Sequence, residues 1–256
     1  MTTPLDPGLG LSQPEPAARP TQQRRRPRRG LFVTLIALGV LLIVAGAGAL
    51  GREMTRAATP AEAAAALQQE IATRWERLPA GKIFPATVSY SDAEGTSMVA
   101  RLVGIAPRAS CQGALGPAGY AAVHGLGCAA ILRATYVDGS GALVATVGVA
   151  VLRSPAAAQQ AWSSVLSLGP VDGLYAVTFA GTTAARFDDT GRGAQGGIAA
   201  GPYLLLYTAG FTDGLPGSAA ADQQSELDSF GNGVDIGLQH VLTGHGKPCA
   251  MKDITC

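Results

Sequence analysis

Apolar residues are unevenly spread along this chain. Residues 31–50 form an unbroken run of uncharged, mostly apolar positions. A helix of that length, at about 1.5 Å per residue, matches the ~30 Å hydrocarbon core of a bilayer. Beyond it the apolar positions become periodic. Thr59-Pro60-Ala61-Glu62 supplies an N-cap, a proline at the first helical position and a capping-box glutamate. Leu67, Ile71 and Trp75 follow at i, i+4 and i+8. This spacing predicts an amphipathic helix over 60–78, ended by Pro79 and Gly81.

Strand-like runs over 83–90 and 97–105 flank Asp92-Ala93-Glu94-Gly95 and read as a hairpin. A second hairpin is predicted over 129–137 and 142–152, around Asp138-Gly139-Ser140-Gly141. In its first strand Leu132, Ala134 and Tyr136 alternate with Arg133 and Thr135, so one face should be dry and one wet. Its second strand is apolar almost throughout and should be central. Ser154-Pro155 opens a helix with Ala158, Ala161, Trp162, Val165 and Leu166 on one stripe, closed by Gly169-Pro170. Strands are expected over 171–179 and 203–211, with a Gly-rich flexible loop over 191–197 between them. Ser218 is placed to cap a last helix bearing Leu227, Phe230, Val234, Leu238, Val241 and Leu242. Gly231, Gly233 and Gly237 weaken that helix by up to ~1 kcal/mol each relative to Ala, enough to allow a break.

Hairpins and amphipathic helices together give the class α+β: a mainly antiparallel sheet with amphipathic helices on one face, preceded by one transmembrane helix. The strand, hairpin, helix, strand section resembles half of a ferredoxin-like arrangement. Four segments result. Residues 1–30 are an Arg- and Pro-rich tail with too little apolar surface to fold. Residues 31–50 are a transmembrane signal anchor, 51–58 a linker, and 59–256 one extracytoplasmic domain.

Charge sets the orientation. Arg24, Arg25, Arg26, Arg28 and Arg29 precede the apolar run, and Arg52 and Arg56 follow it, which puts the N-terminus in the cytoplasm. Two cleaved forms compete with the anchor: a Sec site at Ala47-Gly48-Ala49, which would give a secreted protein, and a twin-arginine signal at Arg28-Arg29-Gly30-Leu31-Phe32. No cysteine follows the segment closely, which disfavours a lipoprotein. The small-residue pairs Ala45/Ala49 and Ala47/Gly51 would let two such helices pack closely, a homodimerisation that no other sequence feature supports.

Composition changes this picture little. A hydrophobic share of 47% and a charged share of 14% fit a membrane segment plus a core rather than a disordered chain. The net charge of +1 hides an Arg-rich tail and a slightly acidic remainder, which lacks the basic surface that nucleic acid requires.

Cys111, Cys128, Cys249 and Cys256 all lie beyond the apolar run, on the side where oxidation is the default. Four cysteines allow three pairings. Cys111 with Cys128 and Cys249 with Cys256 are favoured: the first pair encloses a Gly- and Pro-rich loop with little else to order it, the second ties down the C-terminus. A metal site of His240, His245, Cys249 and Cys256 is the rival, disfavoured by its loose Cys-x6-Cys spacing.

No catalytic, cofactor-binding or metal-binding residue is assigned. His124, His240 and His245 have no catalytic spacing, and neither a Gly-x-Ser-x-Gly elbow nor Ser-x-x-Lys occurs. Asp188-Asp189 lacks a third ligand at EF-hand spacing and reads as a turn. The glycines of 191–197 lack the Lys-Ser/Thr of a P-loop. Trp75 and Trp162 sit on apolar helical stripes and are expected in the core.

The run Gly127-Cys128-Ala129-Ala130-Ile131-Leu132-Arg133-Ala134-Thr135-Tyr136-Val137-Asp138, taken with the layout of the chain, resembles actinobacterial single-pass membrane proteins with an extracytoplasmic α+β domain. A remoter similarity is to disulfide-bonded sensor domains of actinobacterial membrane kinases. The resemblance implies no catalytic residues, and a short cytoplasmic stub without kinase motifs would need a partner to signal. The expected function is a membrane-anchored binding or assembly module without enzymatic activity. Its expected partners are the bilayer, through 31–50, and an envelope or membrane protein. A ligand sensor signalling through a partner, and a secreted or anchored hydrolase, are the alternatives.

Overall fold

The computed structural model describes residues 29–216 and 221–244. The expectations for the 1–28 part of the tail, the Ser218 cap, His245, and the pairing of Cys249 with Cys256 lie outside the described residues. The chain divides into two units, Met1–Arg56 and Ala57–Cys256.

The first unit holds helix α1 (Arg29–Thr55). Its stretch Phe32–Arg52 has a mean hydropathy of 2.5 and none of it is buried. By length and composition it is able to cross a membrane.

The second unit begins with α2 (Pro60–Arg77) and a short turn of helix α3 (Ala80–Ile83). The capping box forms as expected: the Thr59 N–H donates to Glu62 Oε2 at 2.8 Å and the Glu62 N–H to Thr59 Oγ1 at 3.3 Å. Then come β1 (Thr87–Ser91), β2 (Ser97–Ile105), α4 (Cys111–Ala114), α5 (Pro117–His124), β3 (Ala130–Val137), β4 (Leu143–Val151), α6 (Pro155–Val165), β5 (Ala194–Ala200), β6 (Tyr203–Phe211) and α7 (Ala221–Thr243). The six strands form one sheet in the order β1-β2-β3-β4-β6-β5, every neighbouring pair antiparallel. The fold class is α+β. Because β6 lies between β4 and β5, α6 carries the chain across one strand position.

Helix α7 covers one face, packing on β1, β4, β5 and β6. Leu227, Phe230, Val234, Leu238 and Leu242 meet Val147, Val149, Tyr203, Leu205 and Tyr207 in the main core. The helix does not break at its glycines. A side chain at Gly231 would collide with the Tyr207 ring, at Gly233 with Tyr90 and at Gly237 with Val88. The missing side chains let the helix lie directly on the strands, and that burial offsets their low helix propensity.

The opposite face is covered as well, which extends the expectation of helices on one face. β4 is buried at every position, so both of its sides need cover. Ala157, Ala158, Ala161 and Val165 of α6 pack there on Ile131, Ala150, Leu204 and Leu206.

Three boundaries differ from the periodicity. Ile83 and Phe84 are buried at the end of a helical turn, and β1 starts only at Thr87, past Pro85. Residues 171–179 are not a strand. After a helical turn at Pro170–Asp172 they cross the second face, where the Val177 N–H donates to Thr146 Oγ1 at 2.9 Å and Thr135 Oγ1 donates to the Val177 carbonyl at 2.7 Å. The in-plane position beside β6 is instead taken by Ala194–Ala200, which includes part of the expected flexible loop. Its small residues fit where longer ones would not: a side chain at Gly196 would strike the Tyr207 hydroxyl.

Candidate functional site

The disulfide Cys111–Cys128 is present, with Cα atoms 6.3 Å apart. Its loop is more ordered than its glycines predict, because α4 and α5 bury Ala114, Leu115 and Val123 against the second face. Asp188 and Asp189 do the work of a turn. Asp188 Oδ1 accepts from the Thr190 N–H at 2.8 Å, and this hydrogen bonding with Thr190 lowers its pKa. Asp189 Oδ1 accepts from the Ala176 N–H at 2.9 Å and lies 3.2 Å from Arg192 Nε. His124 and His240 are both exposed, one on α5 and one near the end of α7. Trp75 and Trp162 are partly buried against the two cores.

The surface with most chemical variety lies along the first half of α7. Tyr207 on β6 and Tyr90 on β1 rest against the helix at Gly231 and Gly233, and the Tyr90 ring meets Phe230 edge-on at 5.1 Å. With the helix seated so low, side chains at its upper edges stand as walls against the strands. One groove of about 510 Å³ is lined by Tyr207, Gln224, Ser225, Asp228, Ser229 and Asn232. A second, of about 420 Å³, is lined by Ser89, Tyr90, Ser91, Ser97, Ser229, Asn232, Gly233 and Ile236. The two share Ser229 and Asn232.

Most of the lining residues of both grooves carry a hydroxyl or an amide. The Tyr207 hydroxyl donates to Asp228 Oδ1 at 2.9 Å, and Gln224 Nε2 donates to Asp228 Oδ2 at 3.3 Å. Burial, and then the Asp228 charge, push the Tyr207 phenol well above its ordinary value. It therefore stays protonated and holds the carboxylate in place. Burial pushes the Tyr90 phenol up to about 12, with further contributions from Asp138, Asp92 and Glu226. Neither lining includes a lysine or arginine.

Beneath this surface Asp235 is fully buried, and neither of its carboxylate oxygens has a hydrogen-bond partner. Burial raises its pKa well above the carboxylate range, so the neutral acid is the favoured form.

Sequence reasoning did not single out Tyr207, Asp228, Ser229, Asn232 or Asp235 as a group. Two signals were present: an aspartate directly after Val234 on the apolar side of a helix, and three glycines within seven positions of that helix. Comparison with protein-family models, curated proteins and solved structures finds no match. The chemistry of the site itself therefore carries the functional reading. Mostly neutral donors and acceptors on a ledge between a helix and three strands are suited to holding a polar partner by hydrogen bonds.

Proposed function

We propose that this protein is a non-catalytic binding module, anchored by α1 with its N-terminus in the cytoplasm, whose outer domain receives a partner along the first half of α7. The observation that carries this reading is the pair of grooves meeting at Ser229 and Asn232. Together they make one polar ledge in which the single carboxylate is already engaged by Tyr207 and Gln224. The apolar stretch Phe32–Arg52 and the flanking arginines support the anchored form, and a cleaved form would present the same ledge in solution.

A photoreactive residue at Asn232, in the full chain within membranes of expressing cells, tests this. It should yield a specific adduct that Ser229→Arg abolishes and that a probe at the exposed Leu166 does not give. Identical adducts at both positions, or none at Asn232, would overturn the reading.

A further inference from the structure

The sheet has two outer strands, and they are finished differently. At β5 the Trp162 indole N–H donates to the Gly197 carbonyl at 2.7 Å, and α6 packs alongside. At β1, the Ala86 carbonyl accepts from the Leu102 N–H at 2.9 Å, and the Asp92 N–H donates to the Thr96 carbonyl at 3.0 Å. In an antiparallel ladder these contacts set the alternation. The register then turns the backbone groups of Val88 and Tyr90 toward β2 and those of Thr87, Ser89 and Ser91 away from the sheet.

Among the described residues, no backbone group bonds to the outward side of that edge, and apart from its shortness the strand carries few of the devices that usually protect one. Thr87–Ser91 contains no proline and no charge, and pairs with β2 without a bulge. Alongside it runs the 420 Å³ groove, whose far wall is Ser229, Asn232, Gly233 and the 41% exposed Ile236 of α7. A row of outward N–H and C=O groups at strand spacing recognises one chemistry, that of another extended backbone.

The charge around the groove narrows the partner further. Asp92, Asp138 and Glu226 all act on Tyr90, and Asp228 lines the adjoining groove. α7 carries no lysine or arginine anywhere along its length. Arg101 stands opposite Thr87 at one end of the β1–β2 ladder; toward Tyr90, Ser91 and α7 the field is negative and is not compensated by the groove's lining residues.

We propose that β1 is a docking edge for an extended, lysine- or arginine-bearing segment of a partner polypeptide, which adds as a further strand between β1 and the exposed side of α7. The proposal rests on the binding reading of the α7 ledge and specifies its partner. Backbone hydrogen bonds to Thr87, Ser89 and Ser91 supply the affinity. Side chains on one face of the added strand lie against Ser229, Asn232 and Ile236, and its cations face the acidic rim.

The test uses the full chain in bilayer discs of zwitterionic lipid, with three short labelled peptides. The first alternates threonine and lysine, the second is the same peptide N-methylated along one edge, and the third replaces lysine by glutamate. The lysine peptide should bind, weaken as salt is raised, and slow hydrogen exchange at the Thr87, Ser89 and Ser91 amides. The N-methylated and glutamate peptides should each bind about tenfold or more weakly, as expected when backbone hydrogen bonds or a charge match are lost. Ser89→Pro removes one outward N–H without touching a β1–β2 bond, and should weaken the lysine peptide to a similar extent while the Tyr90 amide stays protected. Ser89→Lys, a milder change, should weaken it through like charge.

No binding of the lysine peptide, or binding indifferent to N-methylation and to both Ser89 variants, would overturn the proposal. A photo-adduct at Asn232 that survives in Ser89→Lys alongside such indifference would leave the ledge standing as a binding site and remove the β1 edge from it. Loss of both would remove the two readings together.

Discussion

The two faces of the sheet are covered by different physical means. On the α7 face the cover is one long helix seated on glycines, and most of the contact is apolar, with the Tyr207 to Asp228 hydrogen bond near one end and the Arg74 donations to the Leu242 and Gly244 carbonyls at the other. On the other face a threonine ladder runs across the strands, with Thr135 paired to Thr146 and Thr146 to Thr208. The irregular segment over it is held by side-chain to backbone hydrogen bonds. Arg192 is its main clasp: it donates to the carbonyls of Asp189 at 3.1 Å and of Leu174 and Val171 at 3.3 Å. The first face thus draws most of its stability from burial and should open only when the whole domain opens. The second draws part of its stability from specific polar links and should be able to open by itself.

The sharpest way to break the comparison is at Phe230, fully buried in the main core. Phe230→Ala should cost about 3–5 kcal/mol, measured by urea unfolding, with α2, α7 and the sheet losing structure in a single transition. Next is the cross-link on the second face. Cys111→Ala combined with Cys128→Ala removes a link with a sequence separation of 17, for a cost of about 3 kcal/mol. Hydrogen exchange should rise first in α4 and α5, and a uniform rise across the domain would contradict the distinction between the faces.

Gly231→Ala should destabilise by about 1–3 kcal/mol, although alanine is the better helix former, because the new methyl meets the Tyr207 ring. A higher melting temperature for this variant would show that α7 is not seated as tightly as described. Arg192→Leu leaves three carbonyls without their donor, at about 1–3 kcal/mol. Its effect should be local, with faster exchange at the Ala176 and Val177 amides and little change in α7.

The smallest expected effect has the opposite sign. The pKa of Asp235 is raised by burial, so the unfolded chain releases this proton at lower pH than the folded one. The favourable neutral state is fully retained below the ordinary carboxylate pKa of about 4 and is lost as pH rises through the folded value. Asp235→Asn should therefore match the wild type near pH 4 and exceed it by about 1 kcal/mol or more at pH 8, seen as a melting-temperature difference that grows with pH. Equal stability at both pH values would mean that Asp235 has a partner in solution.

The same division separates what was legible in the sequence from what was not. Strong local signals sufficed for the Thr59 to Glu62 capping box, the apolar stretch of α1, the helix after Ser154-Pro155, and the strands Ser97–Ile105 and Tyr203–Phe211. Each depends on residues within a turn or on a period along one element, and needs no distant partner. Pairing Cys111 with Cys128 was likewise a short-range inference, made from the loop between them.

Only the tertiary structure decided the rest. The apolar run 171–179 had strand character, but the free position beside β6 went to Ala194–Ala200, whose Gly196 and Gly197 leave room for the Tyr207 ring and the Leu205 carbonyl that a side chain there would strike. The glycines of α7 looked like weak points until the strands beneath them supplied the reason. The α7 ledge joins residues of β1 and β2 to residues of β6 and α7 more than a hundred positions away, and Asp235 is fully buried with α7 packed on the sheet. Local pattern determines which face an element turns inward. Which element it then meets depends on shape and on competition for one place in the sheet, and no window of sequence contains that information.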